Sequence, residues 1–530
     1  MSLVNLHILS LLIFFPLLGA LAVAFLPSSR KPQSSWTWGL IVSGLEFLFS
    51  LHLPWHSGSG EGLKFAERYE WIPSWGISFL VGIDGFSLYL ILLTTFLVPI
   101  IFLMSRRSVS TSPRAFVVSF LILETGIVGS LASLDLFLFY LFWEVMLIPM
   151  FLIIGIWGGE NKVYAAVKFL VYTMLGSVLM LVAILWLTVR HGQFAGNFTF
   201  ALPELCNTPL PLTEQLWLFA AFGLAFAIKI PAFPFHTWLP DAHTEAPTGG
   251  SVVLASVLLK LGGYGFLRFA LPLFPDAAQV FAPVLMLSGV VGILYGALVS
   301  RVQDDLKRLI AFSSVSHLGF VVLGLGTLTV SGLQGAVFVM LSHGLTTGAL
   351  FLLVGMLHER RHTRMIDQFG GLQAVIPNYS LVLRVVTLAS IGLPGLSGFV
   401  GEFLVLLGAS QCPGWGRPAM CAAAIGMVGS AFYMLHMFQA VMQGPIRHPK
   451  NRALKDLDRV EMGVMAPILV LILVLGLFPN SILARLEPLA QRIVETVVGD
   501  KEYELEAVNA AGVVVSRTPV HTAEPVPILR

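Results

Sequence analysis

Lys229 and Lys260 each stand alone in an apolar run, and the residues between them read AIKIPAFPFHTWLPDAHTEAPTGGSVVLASVLLK from Ala227 to Lys260. Desolvation weakens a lysine's hold on its proton, and a nearby carboxylate restores it. A lysine and a carboxylate in apolar surroundings therefore make a proton switch, and Glu144 with Lys229 is the natural pair. Histidine exchanges protons near neutrality without help, which suits His317 and His343 as relays. With Lys260 and Glu402 these histidines form a row of groups able to hand a proton on, joined by a hydrated polar axis. Glu402 closes the row on the outer side. Lys168, Asp135 and His236 are secondary members, and Asp135 suits a helix cap equally well. Arg268 and Arg384 keep their protons and are read as anchors for carbonyls or carboxylates. Glu124 and His436 are ionisable but receive no role.

Pro231, Pro234 and Pro240 interrupt the helix that carries Lys229, because proline has no N–H and clashes with the preceding turn. The polar insert that follows holds His236, Asp241, His243 and Glu245. They are either metal ligands or, as adopted here, ties for a re-entrant segment that also admit water. His358 to His362 reads HERRH, a formal match to a zinc-protease motif. Two arginines between its histidines oppose a cation, and no third ligand is evident.

The elements that must position these groups are membrane spans. The chain has 530 residues, 56% hydrophobic and 11% charged, with a mean hydropathy of +0.85. Apolar runs recur at the length needed to cross a bilayer, about fourteen times at roughly 20 residues each. The runs are 5–26, 37–54, 85–104, 115–133, 135–156, 164–189, 214–235, 248–271, 279–300, 308–329, 333–357, 377–410, 421–443 and 462–482. The expected fold is an all-α polytopic membrane protein. A charge at mid-bilayer costs about 3 kcal/mol, so the ionisable residues inside these runs mark function.

The twelfth run is too long for one simple span and carries Gly392, Pro394, Gly395 and Gly398, so it is read as a second broken helix, matching the break in the seventh. Each is the fourth member of a set of five, spans 4–8 and 9–13. Two such sets start on opposite sides of the membrane, the pattern of inverted repeats with a transport site at the breaks. The expected units are residues 1–110, two five-helix repeats at 111–272 and 273–445, a last span within 446–482, and an amphipathic piece with a polar tail at 483–530. Lys and Arg concentrate after odd-numbered spans, as in Arg106, Arg107, Lys307, Arg308, Arg360, Arg361 and the segment 447–459. Loops after even-numbered spans hold only Lys64, Arg68, Arg190 and Arg417. The positive-inside rule then puts both termini on the periplasmic side of a bacterial inner membrane. The first run is read as a retained span rather than a cleaved signal.

Other function classes drop out. Three cysteines without a CxxC spacing make no iron–sulfur or structural zinc site. No glycine-rich nucleotide loop is present. Basic residues are sparse and lie in loops, which disfavours nucleic acid.

The stretches LFWEVMLIPM (141–150), AIKIPAFPFHTWLPDAHTEAP (227–247), LLKLGGYG (258–265), SVSHLGF (314–320), LSHGLTTGALFLLVG (341–355) and GLPGLSGFVGEF (392–403) resemble the antiporter-like subunit M family of NADH-quinone oxidoreductase, respiratory complex I. The mitochondrial counterpart is subunit 4. The resemblance covers roughly residues 80–480. It implies a proton-translocating subunit with no cofactor of its own, the NADH, FMN, iron–sulfur clusters and quinone belonging to partner subunits. It implies a place in the membrane arm among lipids and other subunits, two of them antiporter-like. It implies Glu144 and Lys229 as the modulating pair, Lys260 as carrier, His317 and His343 as relays, and Glu402 at the exit. A subunit of a multisubunit Na+/H+ antiporter, the related photosynthetic complex and an inert assembly protein are the alternatives.

Overall fold

The computed structural model describes residues 7–25, 33–56 and 62–499, together with two short paired strands, Ala507–Val508 and Val514–Val515. The rest of the expected polar tail lies outside the described residues. The chain runs α1 (Ile8–Ala24), α2 (Gln33–Ser50), a hairpin of β1 (Lys64–Ile72) and β2 (Ile77–Ile83), α3 (Gly85–Ser108) and α4 (Pro113–Ala132). Next come α5 (Leu136–Trp157), α6 (Lys162–Ala195), α7 (Leu212–Lys229), the short α8 (Trp238–Glu245), α9 (Thr248–Leu273), α10 (Pro275–Arg301), α11 (Leu306–Gly326) and α12 (Val330–Arg361). The chain closes with α13 (Pro377–Ser390), α14 (Ser397–Gln411), α15 (Gly416–Met442), α16 (Arg459–Leu477) and α17 (Asn480–Val498).

Among the described residues twelve helices are long and apolar enough to cross a membrane. The shorter α1 and the broken pair α13–α14 occupy the remaining two expected positions. The hairpin departs from the all-α expectation. Its antiparallel strands pair Lys64 with Ile83 and Ile72 with Ile77, and the turn closes on Gly76 at φ +69, a left-handed conformation suited to glycine.

Sequence signals explain most boundaries. Asp84 accepts from the backbone of Phe86 and Ser87 while Ser87 Oγ accepts from the Asp84 N–H, a capping box that starts α3. Asp458 makes the same box with Glu461 at the start of α16, and Asp305 caps α11 by accepting from Lys307 N and Arg308 N. Pro231 ends α7: it cannot donate, and the Ala227 carbonyl accepts from Ala232 N at 2.8 Å instead. Gly392 at φ +74 and Pro394 stop α13.

One face of the molecule holds the hairpin, the start of α1 and α17. Glu67 of β1 accepts from Leu9 N at 2.9 Å, and Arg485 of α17 donates to the Pro54 carbonyl at 3.2 Å. Helix α17 is amphipathic and buries Ile482, Leu486, Ala490, Ile493 and Val497 along one stripe. The opposite face holds the ion pairs Arg107–Asp458 at 2.5 Å, Arg360–Glu461 at 2.6 Å and Arg364–Asp305 at 3.1 Å. The basic loops thus gather on the face away from the hairpin. Helix α7 starts from the hairpin face and α13 from the basic face, so the two broken helices run in opposite directions. Helices α9, α11 and α12 form the centre, with the whole apolar window of each buried inside the chain.

Candidate functional site

The three enclosed helices carry the row. Lys260 lies in α9 between two π-helical turns, Leu254–Leu258 and Phe266–Ala270. Such turns widen the helix and often sit at functional positions. Its Nζ donates to the Ala255 carbonyl and lies 2.6 Å from His343 Nδ1 on α12. His343 Nε2 is buried without a partner. The ring of His317, on α11, follows with its centroid 5.7 Å from that of His343. His317 Nδ1 is 3.0 Å from Glu402 Oε1 on α14, and its Nε2 is 3.3 Å from Ser390 Oγ at the end of α13. All four members are 4% exposed or less, so the contacts form out of water.

Glu402 sits where the second helix is broken. Its Oε2 is buried and unpartnered. A Cβ on Gly392 would fall 2.9 Å from that oxygen, so the glycine at the break keeps space beside the carboxyl. The Tyr433 hydroxyl of α15 is also buried near Glu402. Ser390 and Tyr433 were not legible as site residues, because serine and tyrosine are ordinary in apolar helices.

Glu144 and Lys229 do not form an ion pair. Lys229 is 1% exposed, and its Nζ has no hydrogen-bond partner. It lies over the Trp143 ring at 5.0 Å and near the Phe169 ring at 5.9 Å. Glu144 is near enough for its charge to act on Lys229 and for its carboxyl to engage Tyr140. It is half-buried rather than enclosed, and it lies beside the seam where Pro149 interrupts α5 at Met146.

The secondary residues divide. Lys168 pairs with Asp241 of α8 at 2.7 Å, each side chain 21% exposed, in a cluster on the basic face rather than in the row. Asp135 is a cap: its carboxylate accepts from Phe137 N, Leu138 N, Ser78 N and Ser78 Oγ, tying α5 to the hairpin. His236 is buried and packs against Phe233 and Tyr295, with Nδ1 unpartnered. His243 stacks on Phe351 at 4.6 Å with both ring nitrogens unpartnered. Beside it Lys307, read from sequence as a loop residue, is buried and donates to the Ala246 carbonyl at 2.6 Å.

Three sequence readings need correction. Arg384 is exposed and lies over the Phe438 ring, and His436 is exposed. Glu46, passed over in the second span, is fully buried in α2. Arg268, in contrast, anchors Asp84 through a buried ion pair at 2.6 Å, as expected. The arginines of the HERRH stretch reach Glu461 and Asn451.

Residues 133–432 match the family model described as NADH:quinone oxidoreductase/Mrp antiporter, transmembrane. The chain belongs to this family. It is 42% identical over 485 residues to NADH-quinone oxidoreductase subunit M of Rickettsia typhi, covering 90% of this chain and 97% of that one. It is 42% identical to the subunit M of Rhodobacter capsulatus, covering 93% and 98%. A chain of respiratory complex I from Thermus thermophilus has a TM-score of 0.84 at 33% identity, covering 92% of this chain and 99% of that one. The Mrp complex of Dietzia shares the fold, with a TM-score of 0.79 at 22% identity, over 94% of this chain and 52% of that one.

Proposed function

We propose that the chain is a proton-translocating, non-redox subunit in the membrane arm of an NADH-quinone oxidoreductase. The arm lies in a bacterial inner membrane, next to two further antiporter-like subunits. NADH, FMN, iron–sulfur clusters and quinone are held by partners. The observation that carries this reading is the contact sequence Lys260–His343–His317–Glu402 across α9, α12, α11 and α14. The names of the subunit M relatives support the assignment to the oxidoreductase rather than to an Mrp-type exchanger.

The row moves a proton as follows. The Lys260 ammonium donates to His343 Nδ1, and the ring releases its other proton from Nε2. A water bridges the two imidazoles. His317 then protonates Glu402 through Nδ1, and Glu402 discharges past the break at Gly392. Lys229, its charge modulated by Glu144, supplies protons towards Lys260. Lys307 and His243 line the approach from the basic face. The two broken helices, running in opposite directions, make the row the seam between inverted repeats.

The test is proton translocation by vesicles holding the assembled complex, with NADH oxidation followed in parallel. Lys260→Ala should lose translocation while the complex remains assembled. Full translocation by Lys260→Ala would overturn the reading.

A further inference from the structure

Glu46 of α2 and Glu124 of α4 lie outside both the row and the broken helices. Each is 0% exposed. Helices α2 and α4 are packed together, and the two carboxyls face each other across that contact. None of their four oxygens has a hydrogen-bond partner outside the pair.

Among the described residues no cation acts on either carboxyl, Lys260 and Arg268 of the neighbouring α9 included. Helix α1, packed on both, has no titratable residue in its sequence, and α2 has none besides Glu46. On α4 the basic residue is Arg114, ten positions before Glu124, hence about 15 Å away along the axis. On α3 the basic residues are Arg106 and Arg107, at its far end on the basic face, with Arg107 paired to Asp458 at 2.5 Å. On α5, packed against α4, the titratable groups are Tyr140 and Glu144, which engage each other. Two adjacent carboxylates buried without a counter-charge repel each other and have lost their hydration, so they cannot both stay ionised.

A metal fits poorly. Ser43 donates to Gly39 O at 2.8 Å, and Ser50 donates to Phe47 O at 2.7 Å and meets Thr95 Oγ1 at 2.8 Å. Thr125 keeps an unpartnered hydroxyl. Two carboxyls and one hydroxyl fall short of the roughly six to eight oxygens a hard divalent cation takes. Among the described residues no group of three or more acidic, histidine or cysteine side chains stands ready to hold a metal.

We propose that Glu46 and Glu124 form a second proton-binding site, a carboxyl pair that holds at least one proton between them in the α1–α4 bundle. The proton sits between an oxygen of one group and an oxygen of the other, and it makes the hydrogen bond within the pair. Residues Ser50 and Thr95 continue the polar strip from α2 to α3, a path of hydroxyls beside the pair. The site is independent of the role given to Lys260 and Glu402, so failure of one reading leaves the other standing.

The experiment is infrared difference spectroscopy on the assembled complex in lipid, at a pH well above the ordinary carboxylate range. Wild type minus the double variant Glu46→Gln/Glu124→Gln should show the carbonyl band of a neutral carboxylic acid, shifted in heavy water. Should the double variant fail to assemble, Glu124→Gln keeps the shape of the pair and should shift that band in frequency, because the remaining acid then bonds to an amide instead of a carboxyl. An acid band left unchanged, or difference spectra holding only carboxylate bands, would overturn the proposal. So would a thermal stability that rises with sodium at fixed pH in wild type and not in the variants, because sodium would then be the ligand.

Discussion

At the scale of single residues, the proposed proton row should be selective about which cation can serve in it. Lysine gives up a proton when buried, whereas the guanidinium of arginine holds its own. Lys260→Arg keeps the positive charge near His343, so translocation should fall at least about tenfold, a barrier of roughly 1.4 kcal/mol or more. Translocation close to wild type in that variant would mean that Lys260 acts by charge alone. Glu402 makes the complementary case. Glu402→Gln keeps the contact with His317 but cannot take a proton, and should block turnover. Glu402→Asp keeps the carboxyl, one methylene shorter, and should retain part of the rate. Equal rates from the two would remove Glu402 from the path. The membership of this row was legible because lone ionisable groups in apolar runs are rare. The contacts within it were not, since Lys260 and His343 lie 83 positions apart and meet only through the packing of α9 on α12. The half-burial of Glu144 was illegible for the same reason, because exposure depends on which helices lie beside it.

At the scale of elements, breaks and caps do the positioning. The proline that ends α7 and the glycine and proline that end α13 are visible in sequence, and both breaks fall where expected. The hairpin was missed. Lys64–Ile83 follows a membrane span and is rich in aromatic and β-branched residues, but its turn is Pro-Ser-Trp-Gly rather than an Asn-Gly pair, and its two strands lie within a largely apolar segment. The cap of α16 is open to test. The Asp458 carboxylate accepts from Val460 N and Glu461 N and pairs with Arg107. The Glu461 amide first, and the guanidinium next, hold its pKa below the ordinary aspartate value. Its folded value is depressed, so its contribution is complete above the ordinary value of 3.8 and is lost as pH falls through and below it. Asp458→Ala should remove about 1 kcal/mol from the start of α16. Hydrogen exchange at Val460 and Glu461 should rise several-fold in that variant at neutral pH. Unchanged protection there would show that Arg360 and Glu461 fix the helix start without the cap.

At the scale of the whole molecule, sidedness follows from where the charge lies. The hairpin, the start of α1 and α17 share one face, while the arginine pairs share the other. An even number of crossings between the first and last spans puts both ends of the bundle on the hairpin face. We propose, from the concentration of Lys and Arg on the opposite face and the positive-inside rule, that this face is the cytoplasmic one. A chain with Cys206, Cys412 and Cys421 replaced by serine gives a clean background for single cysteines. Lys450→Cys, beside the pairs of the basic face, should resist a membrane-impermeant thiol reagent in intact cells and react after the membrane is opened. Glu70→Cys, exposed on β1, should react from outside in intact cells unless a neighbouring subunit covers the hairpin. In that case it stays protected after opening as well, whereas Lys450→Cys becomes reactive. Labelling of Lys450→Cys in intact cells would invert the orientation. The exit at Glu402 would then open towards the cytoplasm, and the direction assigned to the row would have to reverse with it.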